Sequence, residues 1–395
     1  MAGFTICRSG CVVVPFLSLF LVRQQHFGPA EAAQVSAAFG AGWAIGPAIA
    51  GWLADHMGRR ATLLLALAAV TATYLLLPAL HSLSTLTGAA FGVGLFFDGP
   101  RPAVLALVAD LVPEQARGRA YARLYWASNL GAGLAGCVGT ALSERHMHVL
   151  FYVAAASNSA FALIILIRRI GAGHHPTKHH VHPGPGTGGY HSMIRDRRFL
   201  ALVGLTLVYL CCYQQVLFGL PVAMEYEGLS PTGYGFINLL NAIGVVAFQP
   251  LLQAWITRRT PLVVCATGAI VLGLGMGGNL GARQSLIGYA LAASVWTLGE
   301  VLFFSSVMTA VERLTPAAGR GRYTGVWAST MGVSSLIAPL ISSTALDAGG
   351  TELMWMMSGA LGAIAAIGFL VLQKRIDTTT FATGDSEPPV TPART

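Results

Sequence analysis

The chain has 395 residues, of which 54% are hydrophobic and only 10% charged, and its net charge at pH 7 is +8. Soluble domains carry about 25% charged residues, so this composition leaves too little polar surface to cover a soluble core of this size. The mean hydropathy of +0.63 and apolar stretches of roughly 20 residues fit membrane-spanning helices, and no trace is found of the roughly 10-residue alternation that barrel strands require.

In chain order the apolar stretches predict twelve spans, at 4–23, 33–54, 61–80, 84–112, 119–143, 149–169, 198–222, 232–257, 262–281, 286–312, 321–346 and 351–373. Inside lipid every backbone N–H and C=O needs an internal partner, which a helix supplies within itself. The first stretch, from Phe4 to Val22, is too long for the apolar part of a cleaved leader and lacks a basic lead-in, so it is read as the first span. Between the sixth and seventh spans lies a His-, Gly- and Pro-rich segment holding His174, His175, His179, His180, His182 and His191. It is too poor in apolar residues to fold alone and is read as a solvated linker, with metal sensing as the alternative. The expected organisation is a six-helix bundle at 1–170, a cytoplasmic linker at 171–197, a second six-helix bundle at 198–375 and a disordered tail at 376–395. The cysteines (Cys7, Cys11, Cys137, Cys211, Cys212 and Cys265) all fall in apolar stretches without metal-ligand spacing, and they read as packing residues. No metal or cofactor is expected.

Orientation follows from the distribution of Lys and Arg. With both termini on the cytoplasmic side, 19 of the 24 basic residues fall in inner loops and the tail, while only Arg23, Arg145 and Arg283 fall outside. The remaining two, Arg8 and Arg101, sit within spans. The basic balance thus reflects a multi-pass protein of the cell membrane, and nucleic-acid binding is not needed to explain it.

The two halves echo each other. Leu111-Val112-Pro113 followed by Arg117-Gly118-Arg119 recurs 203 residues later as Leu314-Thr315-Pro316 followed by Arg320-Gly321-Arg322. A looser outer turn pairs Gly28-Pro29 with Gly228 and Pro231. Internal duplication with equal span numbers marks transporters built from two similar halves, with pseudo-twofold symmetry and a site near the bilayer midplane.

The most specific motif is Gly51-Trp52-Leu53-Ala54-Asp55-His56-Met57-Gly58-Arg59-Arg60, between the second and third spans. Gly51 lets another helix approach. Asp55 ends a helix at the membrane surface, where an arginine or a helix N-terminus satisfies a carboxylate. Gly58 permits a tight turn. Arg59 and Arg60 can pair with Asp55, with Asp110 at the end of the fourth span, or with lipid phosphate; the plainer alternative makes them topology anchors only. The segment resembles the signature loop of the major facilitator superfamily, commonly G-x-L-a-D-r-x-G-R-r, with His56 where the family often has Arg. The twelve-span plan extends the resemblance over nearly the whole chain. It implies two six-helix bundles around a central cavity, and an inner latch in the outward-open state made of Gly51, Asp55, Gly58, Arg59, Arg60 and Asp110. The corresponding loop after the eighth span has Arg258-Arg259 but no Asp, so the latch is asymmetric. In the fifth span, Gly131, Gly133, Ala135, Gly136 and Gly139 resemble the family's glycine-rich antiporter motif without its Gly-Pro pair, and close helix packing explains them equally well.

Charges inside spans cost several kcal/mol unless paired or wet. Asp98 and Arg101 are three residues apart and share a helical face. Glu300 occupies nearly the same depth in the second half as Asp98 does in the first. A desolvated carboxylate can exchange protons near neutral pH, so Glu300 and Asp98 are the proton-coupling candidates, against a purely structural role. Arg8 and Arg101 are candidates for an anionic group of the substrate, with snorkelling to the surface as the alternative for Arg8. Tyr209, Gln214, Gln215, Asn238, Asn241 and Trp296 are polar enough to line the cavity or to join helices. No nucleotide-binding loop or catalytic constellation is present, so no enzyme activity is expected, and transport must draw on an ion or substrate gradient. The expected function is proton-coupled export of a small amphipathic compound, a direction that rests on resemblance to the drug/proton antiporter branch. The alternatives are a proton-coupled importer of a metabolite and, in another class, a non-transporting sensor. The expected partners are a small-molecule substrate, protons and membrane lipids, and the chain is expected to be a monomer.

Overall fold

The computed structural model describes residues 5–7, 12–97, 131, 135, 138–139, 142, 147–168, 190–315 and 320–383. Everything regular among them is helical. Helix α1 spans Val13–Arg23, α2 Pro29–Met57, α3 Arg59–Leu76, α4 Leu83–Phe97 and α5 Val149–Ile167. After the linker follow a short α6 (Tyr190–Arg195), α7 (Arg197–Tyr213), α8 (Gly219–Tyr226), α9 (Pro231–Ile256), α10 (Pro261–Gly278), α11 (Leu286–Leu314) and α12 (Arg320–Thr383). Among the described residues, seven helical segments are long and apolar enough to cross a membrane. The predicted span at 119–143 and the end of that at 84–112 lie almost wholly outside the described residues.

Local chemistry sets the helix ends. The Glu31 carboxylate accepts from the Gly28 N–H at 2.9 Å as α2 begins, a reach back from the first turn that offsets a helix's orphan donors. At the parallel point in the second half, the Ser230 hydroxyl accepts from the Gly233 N–H at 3.3 Å, with Pro231 opening α9. Proline there loses nothing, because its missing N–H would have no partner. The outer-turn repeat in the sequence is thus a repeated helix start.

Two elements differ from their predicted form. The span expected at 198–222 is broken: α7 stops at Tyr213, a tight turn covers Gln214–Val216, and α8 resumes at Gly219. The last two predicted spans are continuous in α12 except for Gly349 and Gly350, whose backbones leave the helical region. The tail expected to be unstructured from 376 carries α12 on to Thr383, because the sequence there contains no Gly or Pro to stop a helix until Gly384.

Small residues set the packing. A Cβ placed on Gly362 of α12 would sit 2.4 Å from the Gly273 Cα of α10. A Cβ on Gly40 of α2 would meet the backbone of Leu336 and Ser335, and one on Gly332 would lie 2.3 Å from the Ala44 backbone. Helix α2 therefore crosses α12 backbone to backbone, joining the first half of the chain to the second. Apolar association adds nothing between helices within lipid, so close van der Waals approach is the available source of attraction. Ile287, Leu291 and Val295 form a row on α11 that is 74%, 66% and 38% exposed, an apolar stripe of the kind hydrocarbon covers.

Candidate functional site

Glu300 lies midway along α11, on the face opposite the exposed row. Two helices of the second half converge on it. The Tyr213 hydroxyl, at the end of α7, donates to Oε1 at 3.0 Å. The Asn241 amide, on α9, donates to Oε2 at 2.7 Å and also reaches the Thr297 hydroxyl at 3.0 Å. Each carboxylate oxygen therefore has its own donor, as a buried charge requires. Aromatic rings wall the cluster: Tyr213 meets Phe304 edge-on at 5.2 Å, and Tyr209 stacks on Phe303 at 3.5 Å. Glu300, Asn241 and Tyr213 keep partial exposure, so the cluster is not sealed. Such an arrangement can hold a proton or a cation on the carboxylate and exchange it when a donor moves.

The break after α7 is held from the other side. Gln214 and Gln215 are fully buried. The Gln214 amide donates to the Ser335 hydroxyl, and that of Gln215 to the Ala338 carbonyl at 3.3 Å. The Ser342 hydroxyl donates to Gln215 Oε1. Both glutamines thus bind the turn to α12. Trp296 is also fully buried, packed where Gly275 of α10 leaves room for it. Of the cavity candidates among the described residues, only Asn238 and Asn241 are partly exposed, and the Asn238 amide donates to the Tyr234 carbonyl of its own helix at 3.1 Å. Tyr213 was not singled out by sequence; its signal was its place one turn after Tyr209 and beside the two glutamines.

At the loop between α2 and α3, Gly58 has φ of 84°, a conformation that only glycine adopts freely. Its carbonyl accepts from the Thr62 N–H at 3.1 Å and hydroxyl at 3.0 Å. Arg60 is partly buried, and its Nε has no partner among the described residues. Gly51 lies within α2, while the side chains of Asp55 and Arg59, and the whole of Arg8, Asp98, Arg101 and Asp110, lie outside the described residues.

At the opposite end of α2 the two halves meet. Arg23 Nε lies 2.8 Å from Glu225 Oε1. Phe16 packs edge-on against Tyr234 with ring centroids 5.3 Å apart. Ser18, Ala32, Ala33, Phe218, Val222 and Ser342 surround what remains between them, a void of about 20 Å³, room for about one water.

Comparison with known proteins follows the same lines. The Major Facilitator Superfamily model matches residues 2–299 and 223–392. The uncharacterized MFS-type transporter YqjV of Bacillus subtilis (strain 168) is 22% identical over 93% of this chain and 91% of its own. The multidrug resistance protein MdtH of Salmonella arizonae is 25% identical over 71% of this chain and 69% of its own. Among solved structures, the POT family transporter PepTSo superposes with a TM-score of 0.81 at 15% identity, covering 95% of this chain and 97% of that one, a likeness of fold.

Proposed function

Since this chain belongs to the Major Facilitator Superfamily of membrane transporters, we propose that it exports a small amphipathic compound in exchange for protons, by alternating access. The observation that carries this reading is the Glu300 carboxylate, answered by donors from α7 and α9 within a helix that crosses the membrane. A carboxylate is expensive there, and its usual uses are ion and proton pathways. The export direction is supported by the similarity to a relative named for multidrug resistance.

In this reading residues 1–170 and 198–375 are the two bundles that rock about the site, joined by 171–197 and followed by a tail at 376–395, with both termini cytoplasmic and the chain a monomer. Glu300 carries the proton, with Asp98 as its counterpart in the first half. Asn238 and Asn241 face the compound, and Arg8 and Arg101 receive any anionic group it bears. Gln214 and Trp296, both fully buried, serve helix packing instead. Gly51, Asp55, Gly58, Arg59, Arg60 and Asp110 latch the inner side, while Arg23 with Glu225 closes the outer side when that latch is released.

Inverted membrane vesicles with an imposed inside-acid gradient test the reading. Lipophilic cations, neutral drugs, sugars and organic acids are added in turn to wild type and Glu300→Gln. The expected result is compound-dependent collapse of the gradient in wild type, lost in the variant, with compound-for-compound exchange retained. Proton movement that is the same in both proteins removes Glu300 from the coupling. Collapse only in right-side-out vesicles, with the outside made acid, makes the protein an importer.

A further inference from the structure

An open cavity of about 510 Å³ lies where α6 turns into α7, against the end of α11, lined by Arg195, Asp196, Arg197, Arg198, Arg313 and Leu314. It is separate from the Glu300 cluster. Four arginines and a single aspartate line one space. The aspartate is already engaged: Asp196 Oδ1 accepts from the backbone N–H of Arg198 and of Phe199, each at 3.1 Å, capping α7. Among the described residues, none of the four arginines forms an ion pair with a carboxylate. The frame that presents them is fixed, because Met193 and the fully buried Phe199 pack with Tyr323 of α12, the two rings 4.5 Å apart.

Orientation in the membrane accounts for the sign of these charges but not for their convergence. It is met by arginines at any spacing along a loop. Here Arg197 and Arg198 open α7, with no acidic residue in its first turn. That is the end of a helix where cations are disfavoured. One carboxylate, that of Asp196 at the cap, stands against four arginines, an excess of positive charge that a further anion offsets. Guanidinium groups match phosphate oxygens in paired hydrogen bonds. Ile194 and Leu200, exposed by 62% and 40%, flank the arginines and offer apolar contact to anything that carries a hydrocarbon chain.

The geometry points to a binding site for a phosphate-bearing anion in this cavity, a chemistry found both in anionic phospholipid headgroups and in free phosphate. The site does not depend on the transport reading, and its test uses no transport assay. The purified full-length protein is titrated with phosphatidylglycerol, phosphatidylcholine and inorganic phosphate, and binding is followed by native mass spectrometry. The proteins compared are wild type, Arg197→Gln/Arg313→Gln, Arg313→Gln alone, and Arg283→Gln as a control for lost charge elsewhere. Phosphatidylglycerol is expected to bind wild type at least about tenfold more tightly than phosphatidylcholine, with the preference lost in the double variant, reduced in Arg313→Gln and kept in Arg283→Gln. Inorganic phosphate that displaces the lipid supports the site and shows that a free anion suffices; failure to displace it supports the site and assigns the lipid headgroup. Equal affinity for the two lipids overturns the inference. So does an Arg313→Gln protein, folded by its melting behaviour, that binds phosphatidylglycerol as wild type does.

Discussion

A carboxylate within a membrane-spanning helix needs either water or donors, and Glu300 has a hydroxyl on one oxygen and an amide on the other. Its place within a span was legible in sequence, because a charge in an apolar run stands out by its cost. Asn241 was legible for the same reason on a smaller scale. Tyr213 was not, since a tyrosine in an apolar run, one turn after Tyr209, reads as one more aromatic packing residue. Gln214 and Trp296 were legible as polar groups in spans, but their burial depends on which way α7 and α11 turn, and that is a property of the packed helices. Gly58 offers a sharper test of a single position. A Cβ there meets nothing within 4 Å, so the 84° φ is the whole cost of adding one; such backbone strain amounts to roughly 1–3 kcal/mol. Gly88→Ala is the matched control, since a Cβ there also meets nothing within 4 Å and the residue is helical. Gly58→Ala is expected to lower the unfolding midpoint in detergent and Gly88→Ala to leave it level or raise it. Equal midpoints would remove the strain argument.

At the scale of elements, helices were readable from apolar length, and their ends from Gly, Pro and Ser. The break in the seventh predicted span was not. Tyr213 to Phe218 contains neither Gly nor Pro, and the turn is held by Gln214 and Gln215 reaching α12, a tertiary cause. In hydrocarbon, backbone groups freed by a break must be answered by neighbouring helices or side chains, and the serines of α12 answer the glutamine side chains. The α2–α12 crossing carries a prediction of its own. Gly332→Val places side-chain atoms where the Ala44 backbone stands, with even the first of them at 2.3 Å. The two helices must separate, so cross-linking of an Arg23→Cys/Glu225→Cys pair is expected to fall several-fold. Gly325→Val, at an exposed position where a Cβ meets nothing within 4 Å, is expected to leave the yield unchanged. Undiminished cross-linking in Gly332→Val would mean that the crossing does not hold this end together.

Over the whole molecule, the two halves of the chain are in contact through Arg23–Glu225, Phe16–Tyr234 and the α2–α12 crossing. The ion pair is 39% and 21% exposed on its two sides, and exposed pairs contribute about 0–1 kcal/mol. It can bias this closure but not enforce it. Arg23→Glu is therefore expected to raise thiol labelling of Ala33→Cys, beside the void, by up to about fivefold, and the exchanged pair Arg23→Glu/Glu225→Arg to restore it. Labelling that the exchange fails to restore would assign the effect to arginine packing. The aromatic contact and the crossing supply the rest of the closure.

The crossing has one more consequence. Interlocked side chains act like the teeth of a ratchet, since one helix can slide past another only by lifting out of one set of notches and dropping into the next. Where Gly40 meets Ser335 and Gly332 meets Ala44, there are no teeth. The two backbones rest directly on each other as in a bearing, so a turn of α12 over α2 at these points has no long side chain to lift past.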